Sequence, residues 1–436
     1  MPILAVRRSS VALIIGSALC AFYPLSMPLL AQGTGDNAGK KGPKEQTVIT
    51  DKNRDQVRLT PDQQGVVDKL IRLPETVNVG VVNLAEKGPR DQDGYTHIYL
   101  PLADGKKVTL VRTQPAVKTE QGFTWRGKVD PSGERAVVML WQDGHLSGYF
   151  GYQGRVYMIN HAGGEIHTMA EIDPGKLPPD HPPEQQDKVG SRALGPPPAE
   201  PAVDPFPDTE RLALEAKDVT IDLMLLYTKN AASHHIGDPA KLLALGIEQA
   251  NDTFRNSGLG NIKLRLVHSE EVDYDETGGE LFQHLYQMVD GKGPFANVKK
   301  LRNEKRADIV GLVLHSPNGC GLSTRVAGDA EDAFFVVHHA CAAITYSIAH
   351  EVGHLLGTRH DRVMDTISKP FVYGHGYING TKWRDMMSYQ EGCGGCPRIP
   401  YWSNPRVKYE GEPTGTAASD NARVILEQAE RVSKFR

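Results

Sequence analysis

The chain has 436 residues, 39% of them apolar and 23% charged, with a formal charge of −4 from 49 basic and 53 acidic side chains. That length allows two or three domains with cores of ordinary size and excludes a miniature scaffold. The near-balance of charge argues against a dedicated nucleic-acid binder, and five cysteines are too few to build a fold from disulfides, though enough to staple one region.

Arg7 and Arg8 precede an uncharged run from Val11 to Ala31, the layout of a secretory signal peptide over residues 1–31 with cleavage expected after Ala31. Pro24 and Pro28 interrupt the second half of that run, which weighs against a retained membrane anchor. The expectation is a secreted, extracellular or periplasmic monomer with no stable membrane association. Residues 32–56 are polar and lack an apolar period, so disorder is expected there.

From 57 to 172 the text consists of short apolar runs separated by turn residues: His97 to Leu102, Lys107 to Arg112, Phe123 to Lys128, Ala136 to Trp141, His145 to Phe150 and Val156 to Asn160. Several alternate in period two, which predicts a mostly β domain, preceded by one helix over Pro61 to Leu73. Between Asp173 and Glu210 eleven of 38 residues are proline. Residues 173–215 therefore read as an extended, accessible linker, with Arg192 and Arg211 in or beside it as points for a processing protease.

Residues 216–436 change to alternating strands and helices. Val219 to Tyr227 reads as a near-continuous apolar strand, and Asp238 with Pro239 supplies the N-cap and first-turn proline of a helix to about Asn256. Strands follow at Ile262 to Val267 and Ala307 to His315, with helical segments between Glu280 and Arg302. This order predicts a mainly parallel, twisted sheet. Asp420 caps a last helix whose Ala422, Ile425, Leu426, Ala429 and Val432 share one face. Cys320, Cys341, Cys393 and Cys396 all lie in the last third. Three pairings are open, and Cys320 with Cys341 plus Cys393 with Cys396 is favoured.

The chemistry concentrates in His350-Glu351-Val352-Gly353-His354-Leu355-Leu356-Gly357-Thr358-Arg359-His360-Asp361. On a helix, His350 and His354 stand one turn apart on the same face, so two imidazoles can share one zinc ion. Glu351 sits beside the first ligand, close enough to contact a metal-bound water. Gly357 falls where a left-handed cap would end the helix, letting the chain turn and return His360 as third ligand. Three nitrogens with an open fourth position is the arrangement of catalytic zinc. A surface or core histidine pair is the bland alternative, but five constrained positions agree against it.

The extended motif resembles that of the metzincin metalloproteases, and the resemblance spans roughly 219 to 436. It includes Asp385-Met386-Met387-Ser388-Tyr389, where Met387 matches the methionine of the turn beneath the zinc. Tyr389 matches the tyrosine that can ligate zinc or support the oxyanion in astacin-like and serralysin-like members. Asp361 and the Gly319 to Gly321 segment look like the reprolysin branch. The resemblance implies an α+β/α/β metzincin-type catalytic domain over 216–436, with a twisted mixed sheet, an active-site helix, a methionine turn and a C-terminal helix. It also implies an edge strand near Gly321 to Val326 that pairs with substrate, Phe334 to His338 as the next strand, and one catalytic Zn2+ held by His350, His354 and His360. Glu351 is then the general base of a peptide-hydrolysing enzyme. A non-catalytic zinc-containing binding protein is the alternative, and Glu351 argues against it. His234, His235, His338 and His339 match no ligand position. A calcium requirement is not inferable from the sequence.

The β domain at 57–172 then resembles a propeptide. No cysteine lies between residues 32 and 319, so latency is expected from a carboxylate, a backbone contact or simple occlusion, with cleavage in or near the linker.

Overall fold

A computed structural model of the chain describes residues 57–84, 96–102, 105–119, 122–132, 137–181 and 200–436, with short strands at Glu45–Gln46 and Ile49–Asp51. The expected signal segment, Arg192 and the middle of the linker lie outside the described residues. The two short strands fall within the stretch expected to be disordered.

The first helix, Pro61–Arg72, begins where Thr60 and Gln63 cap each other reciprocally, a capping box that satisfies two otherwise orphaned amides. It buries Val67 and Leu70. An eleven-stranded, largely antiparallel sheet follows. Its strands include His97–Pro101, Lys107–Arg112, Gly122–Asp130, Val137–Gln142, His145–Tyr152 and Arg155–Gly163, close to the runs of alternating apolar residues. Thr76–Leu84 and Ile166–Ile172 complete the sheet beside them.

The second half is built from β1 (Val219–Thr228), α1 (Pro239–Asn256), β2 (Ile262–Val272), β3 (Ile309–Leu314), β4 (Gly321–Ser323), β5 (Phe334–His338), α2 (Ser347–Leu356) and α3 (Asn421–Val432). The sheet order is β2-β1-β3-β5-β4, with parallel pairs throughout except β4, which runs antiparallel to β5 at the edge. Strands β3 and β5 are buried along their whole length, which is why they read as continuous apolar runs rather than alternating ones. The expected edge strand to Val326 is shorter, and the region from Glu280 to Arg302 resolves into Leu281–Val289, a 3-10 turn at Gly293–Phe295 and Val298–Lys305.

The two halves share one apolar cluster, in which Val138, Leu140 and Tyr149 of the first sheet join Leu242, Leu245 and Phe254 of α1. Arg126 reaches across to Asp252 at 3.1 Å and also pairs with Glu248. The start of the proline-rich segment packs rather than extends: Pro174–Lys176 forms a 3-10 turn, and Leu177 is buried against the Cys320–Cys341 disulfide. Its end is helical, Asp208–Glu215, with Arg211 bonded to both Asp208 and Glu215. Proline content hid this helix because Pro207 occupies its N-cap, where its carbonyl accepts the Arg211 amide and the N–H it lacks is not needed. The second disulfide joins Cys393 and Cys396. Among the described residues, no helix is long and apolar enough to cross a membrane.

Candidate metal centre

Helix α2 carries His350, Glu351 and His354, all buried. It ends at Gly357, whose φ of 117° closes the helix through amide bonds to the carbonyls of Gly353 and His354. A Cβ there would lie 2.6 Å from the Phe371 ring, so both conformation and space require glycine. The chain then reverses and brings His360 back to face the helix.

Carbonyl oxygens orient the imidazoles. Nδ1 of His350 donates to Met386 O at 3.0 Å, and Nδ1 of His354 donates to Thr358 O at 2.9 Å. Because a carbonyl only accepts, these bonds place the proton on Nδ1 and leave the Nε2 lone pair bare. Nε2 of His360 lies 3.2 Å from that of His350 and 3.0 Å from that of His354. Burial first, and neighbouring histidines second, lower the pKa of all three, His354 to about 3, so the rings stay neutral.

A fourth histidine enters from the segment after the first sheet. His181 donates from Nδ1 to Gly321 O at 2.8 Å, and its Nε2 lies 2.9 Å from that of His360 and 3.4 Å from that of His354. Nitrogen lone pairs this close repel unless a proton or a cation lies between them. Zinc–nitrogen bonds of about 2.0–2.1 Å in a tetrahedron give nitrogen separations of about 3.3–3.4 Å, so the donor set fits such an ion. His181 precedes His360 by 179 positions and has no ligand spacing in sequence, which is why no local pattern singled it out. Its place at the start of a proline-rich stretch was its one available signal.

Glu351 is 1% exposed. Ser323 on β4 donates its hydroxyl to Glu351 Oε2 at 2.7 Å, while burial pushes the carboxyl up to about 8 against that bond. A Cβ on Gly321 would sit 2.3 Å from Glu351 Oε1, so glycine at the strand edge makes room for the carboxylate. Beyond the helix, Asp361 is buried and accepts amide hydrogens from Tyr389, Val363 and Met364 at 3.0, 3.1 and 3.2 Å. It ties the return of His360 to the turn at Met386–Tyr389. Met387 is fully buried in the cluster that contains Val352 and Leu355 of α2, and the Tyr389 ring centre lies 4.4 Å from that of His360. Asp385, given no role from the sequence, accepts from the Ser388 hydroxyl at 2.6 Å and the Ser403 amide at 3.0 Å, holding the turn's shape.

Beside His181, Asp180 pairs with Arg398, and burial, which would raise its carboxyl, is outweighed by Arg398 and Arg384, which hold it down at about 2. A second histidine group, His315, His338 and His339, lies apart. There Nδ1 of His338 accepts the Ser316 amide at 3.1 Å, which puts its proton on Nε2, and His315 Nδ1 lies 3.0 Å from His339 Nε2.

A mixed sheet with an antiparallel edge strand, beneath which a helix presents the His-Glu-x-x-His face, defines the class: a metallopeptidase. Residues 217–403 match the reprolysin-type model of metallo-peptidase family M12. A protein from Xanthomonas campestris pv. campestris, named peptidyl-Asp metalloendopeptidase, is 30% identical over 389 residues, covering 85% of this chain and 88% of the relative. One of the same name from Stenotrophomonas maltophilia is 28% identical over 357 residues, covering 76% and 81%. The chain belongs to metallo-peptidase family M12, in its reprolysin-like branch, and is a metalloendopeptidase whose substrates are peptides or proteins. The solved metalloproteinase-II from Bacteroides fragilis overlaps 78% of this chain and 91% of its own at 13% identity, with a TM-score of 0.38, and adds nothing to that assignment.

Proposed function

We propose that the chain is an exported zinc endopeptidase that cuts peptide bonds beside aspartate and is made as a latent precursor. The observation that carries this reading is the convergence of three Nε2 atoms, of His350, His354 and His360, next to the buried Glu351 carboxyl. His350, His354 and His360 would hold the ion. When bound, zinc polarises the scissile carbonyl and lowers the pKa of a water to about 7.

Glu351 takes the proton of the attacking water and passes it to the leaving amine, with the Ser323 hydroxyl fixing the carboxylate beside the cleft. Strand β4 offers the edge along which an extended peptide pairs. Met387, buried in one cluster with Val352 and Leu355 of α2, would serve as an apolar floor, and Tyr389, next to His360, would support the developing oxyanion. The aspartate preference follows the relatives' name. Export is supported by the uncharged run from Val11 to Ala31 and by two disulfides, which persist in oxidising compartments.

Latency rests on His181. As a fourth nitrogen beside the other three it would occupy the place that substrate needs, so residues 57–181 would act as a propeptide and release of His181 would open the site. The full chain is expected to hydrolyse peptides only after processing, in a chelator-sensitive way, whereas His181→Ala should hydrolyse them unprocessed. If His181→Ala stays as inactive as the unprocessed wild type while processed wild type is active, the latch is wrong.

A further inference from the structure

We propose that Arg398 is the residue that selects an acidic side chain next to the scissile bond, and that Asp180 fills its place in the unprocessed chain. The proposal rests on the endopeptidase reading above and assigns its specificity.

The Arg398 guanidinium is nearly enclosed, its side chain 9% exposed, and the carboxylate paired with it is Asp180, 15% exposed. Its other bonds go to neutral acceptors of the catalytic half: Nη1 donates to Thr345 O at 3.0 Å and Nη2 to Ser388 O at 3.2 Å. Those carbonyls hold the cation in place without help from Asp180 and leave its charge uncancelled when Asp180 departs. Arg398 Nε is buried without a hydrogen-bond partner, so a donor remains unspent for a second carboxylate contact. Arg384 stands behind, donating to Ser388 O and Cys396 O, both at 3.1 Å. Two guanidinium groups thus share the Ser388 carbonyl, within the turn whose Met386 carbonyl orients His350.

The segment that carries Asp180 lies against the catalytic half as a peptide would. Pro179 O accepts from the Cys320 amide at 2.8 Å, and Asp180 O accepts from the Gly321 amide at 3.1 Å, at the start of the edge strand β4. The next residue, His181, reaches the histidine cluster. An acidic side chain on the arginine and a neighbouring group at the metal position is the placement that selective cleavage beside aspartate demands of a substrate. Thr345, Tyr346, Arg384 and Arg398 form one wall of a 550 Å³ cavity whose opposite wall, from Tyr149 to Asp180, belongs to the part removed on processing, so its departure opens the arginine side to a substrate side chain. A partly desolvated guanidinium with no partner is costly, and a neutral side chain cannot neutralise it. A carboxylate can, through the fork geometry that lysine lacks.

The test uses the metal-loaded full chain before and after its own processing. After processing, kcat/KM is read for a peptide with aspartate at the selected position and for the same peptide with alanine. The ratio is expected to exceed about 100 in wild type and to collapse towards 1 in Arg398→Met. Arg398→Lys, which keeps the charge and guards against misfolding of the first variant, should retain an intermediate ratio. Before processing, hydrogen exchange at the Gly321 amide should rise in Asp180→Asn and in Arg398→Met, and no further in the double variant. An aspartate preference that survives Arg398→Met, a wild type without that preference, or additive exchange effects would each overturn the proposal. A processed wild type that hydrolyses no peptide overturns the endopeptidase reading instead, and the exchange arm then decides the Asp180–Arg398 pairing by itself.

Discussion

Glu351, as the proposed base, would meet two demands that pull in opposite directions: it is sealed from solvent, which favours the protonated carboxyl, and it would have to accept a proton from water. The Ser323 hydroxyl and a bound cation both favour the charged form that accepts one. Glu351→Gln keeps the shape and the acceptor for Ser323 but removes the base. Peptide hydrolysis should fall by about 10² to 10⁴-fold, with metal content unchanged by elemental analysis; undiminished turnover would refute the assignment. His350, Glu351, His354 and His360 were legible because a single helix turn and one glycine fix their spacing. Ser323, Asp180, His181 and Arg398 arrive from separate segments, brought together by tertiary packing alone, and no local pattern announces them.

Element by element, local rules suffice where the buried face repeats with a strand or helix period. Strands β1 and β3 and helices α1 and α3 lie where their apolar text places them, β5 lies where the family resemblance places it, and Asp238 and Asp420 cap as their chemistry suggests, each accepting from an amide of the first turn. The proline-rich segment fails for the opposite reason: its composition describes an average, while Leu177 and the helix at Asp208–Glu215 are set by contacts with the catalytic half. At the end of α2, Gly357→Ala would force a Cβ into positive φ and into the Phe371 ring. A loss of about 1–3 kcal/mol in chemical denaturation is expected, with weakened metal retention because His360 follows. Strand β5 carries a pH response. Burial first, then His315 and His234, lowers the pKa of His338 from 6.5 to about 3. Between those values the unfolded chain binds more protons than the folded one, so this contribution is present above pH 6.5 and lost as pH falls towards 3. His338→Asn keeps an acceptor for the Ser316 amide without titrating, and the acid side of its stability profile should be shallower; an unchanged profile would place the acid sensitivity elsewhere, at His315, His339 or His235.

Across the whole molecule, the first sheet and the catalytic half bury a common apolar cluster and exchange ion pairs through Arg126, so the propeptide-like half is held by a surface rather than by His181 alone. That surface positions the Pro179–His181 segment at the edge strand, and its loss on processing would remove the plug as a unit. The change of pattern near residue 216 coincides with the passage from the first sheet to the second; their shared core was not legible, because each buried side chain of the first sheet looks the same in sequence whether it packs within its own sheet or against a neighbour. X-ray absorption at the zinc edge, on the purified full chain before and after processing, bears most directly on the whole reading. The expected result is one zinc per chain at about 2.0–2.1 Å from imidazole nitrogens, four before processing and three after, with one of the four absent in unprocessed His181→Ala. A chain that purifies without metal, or a spectrum dominated by sulfur or carboxylate ligands, would contradict it.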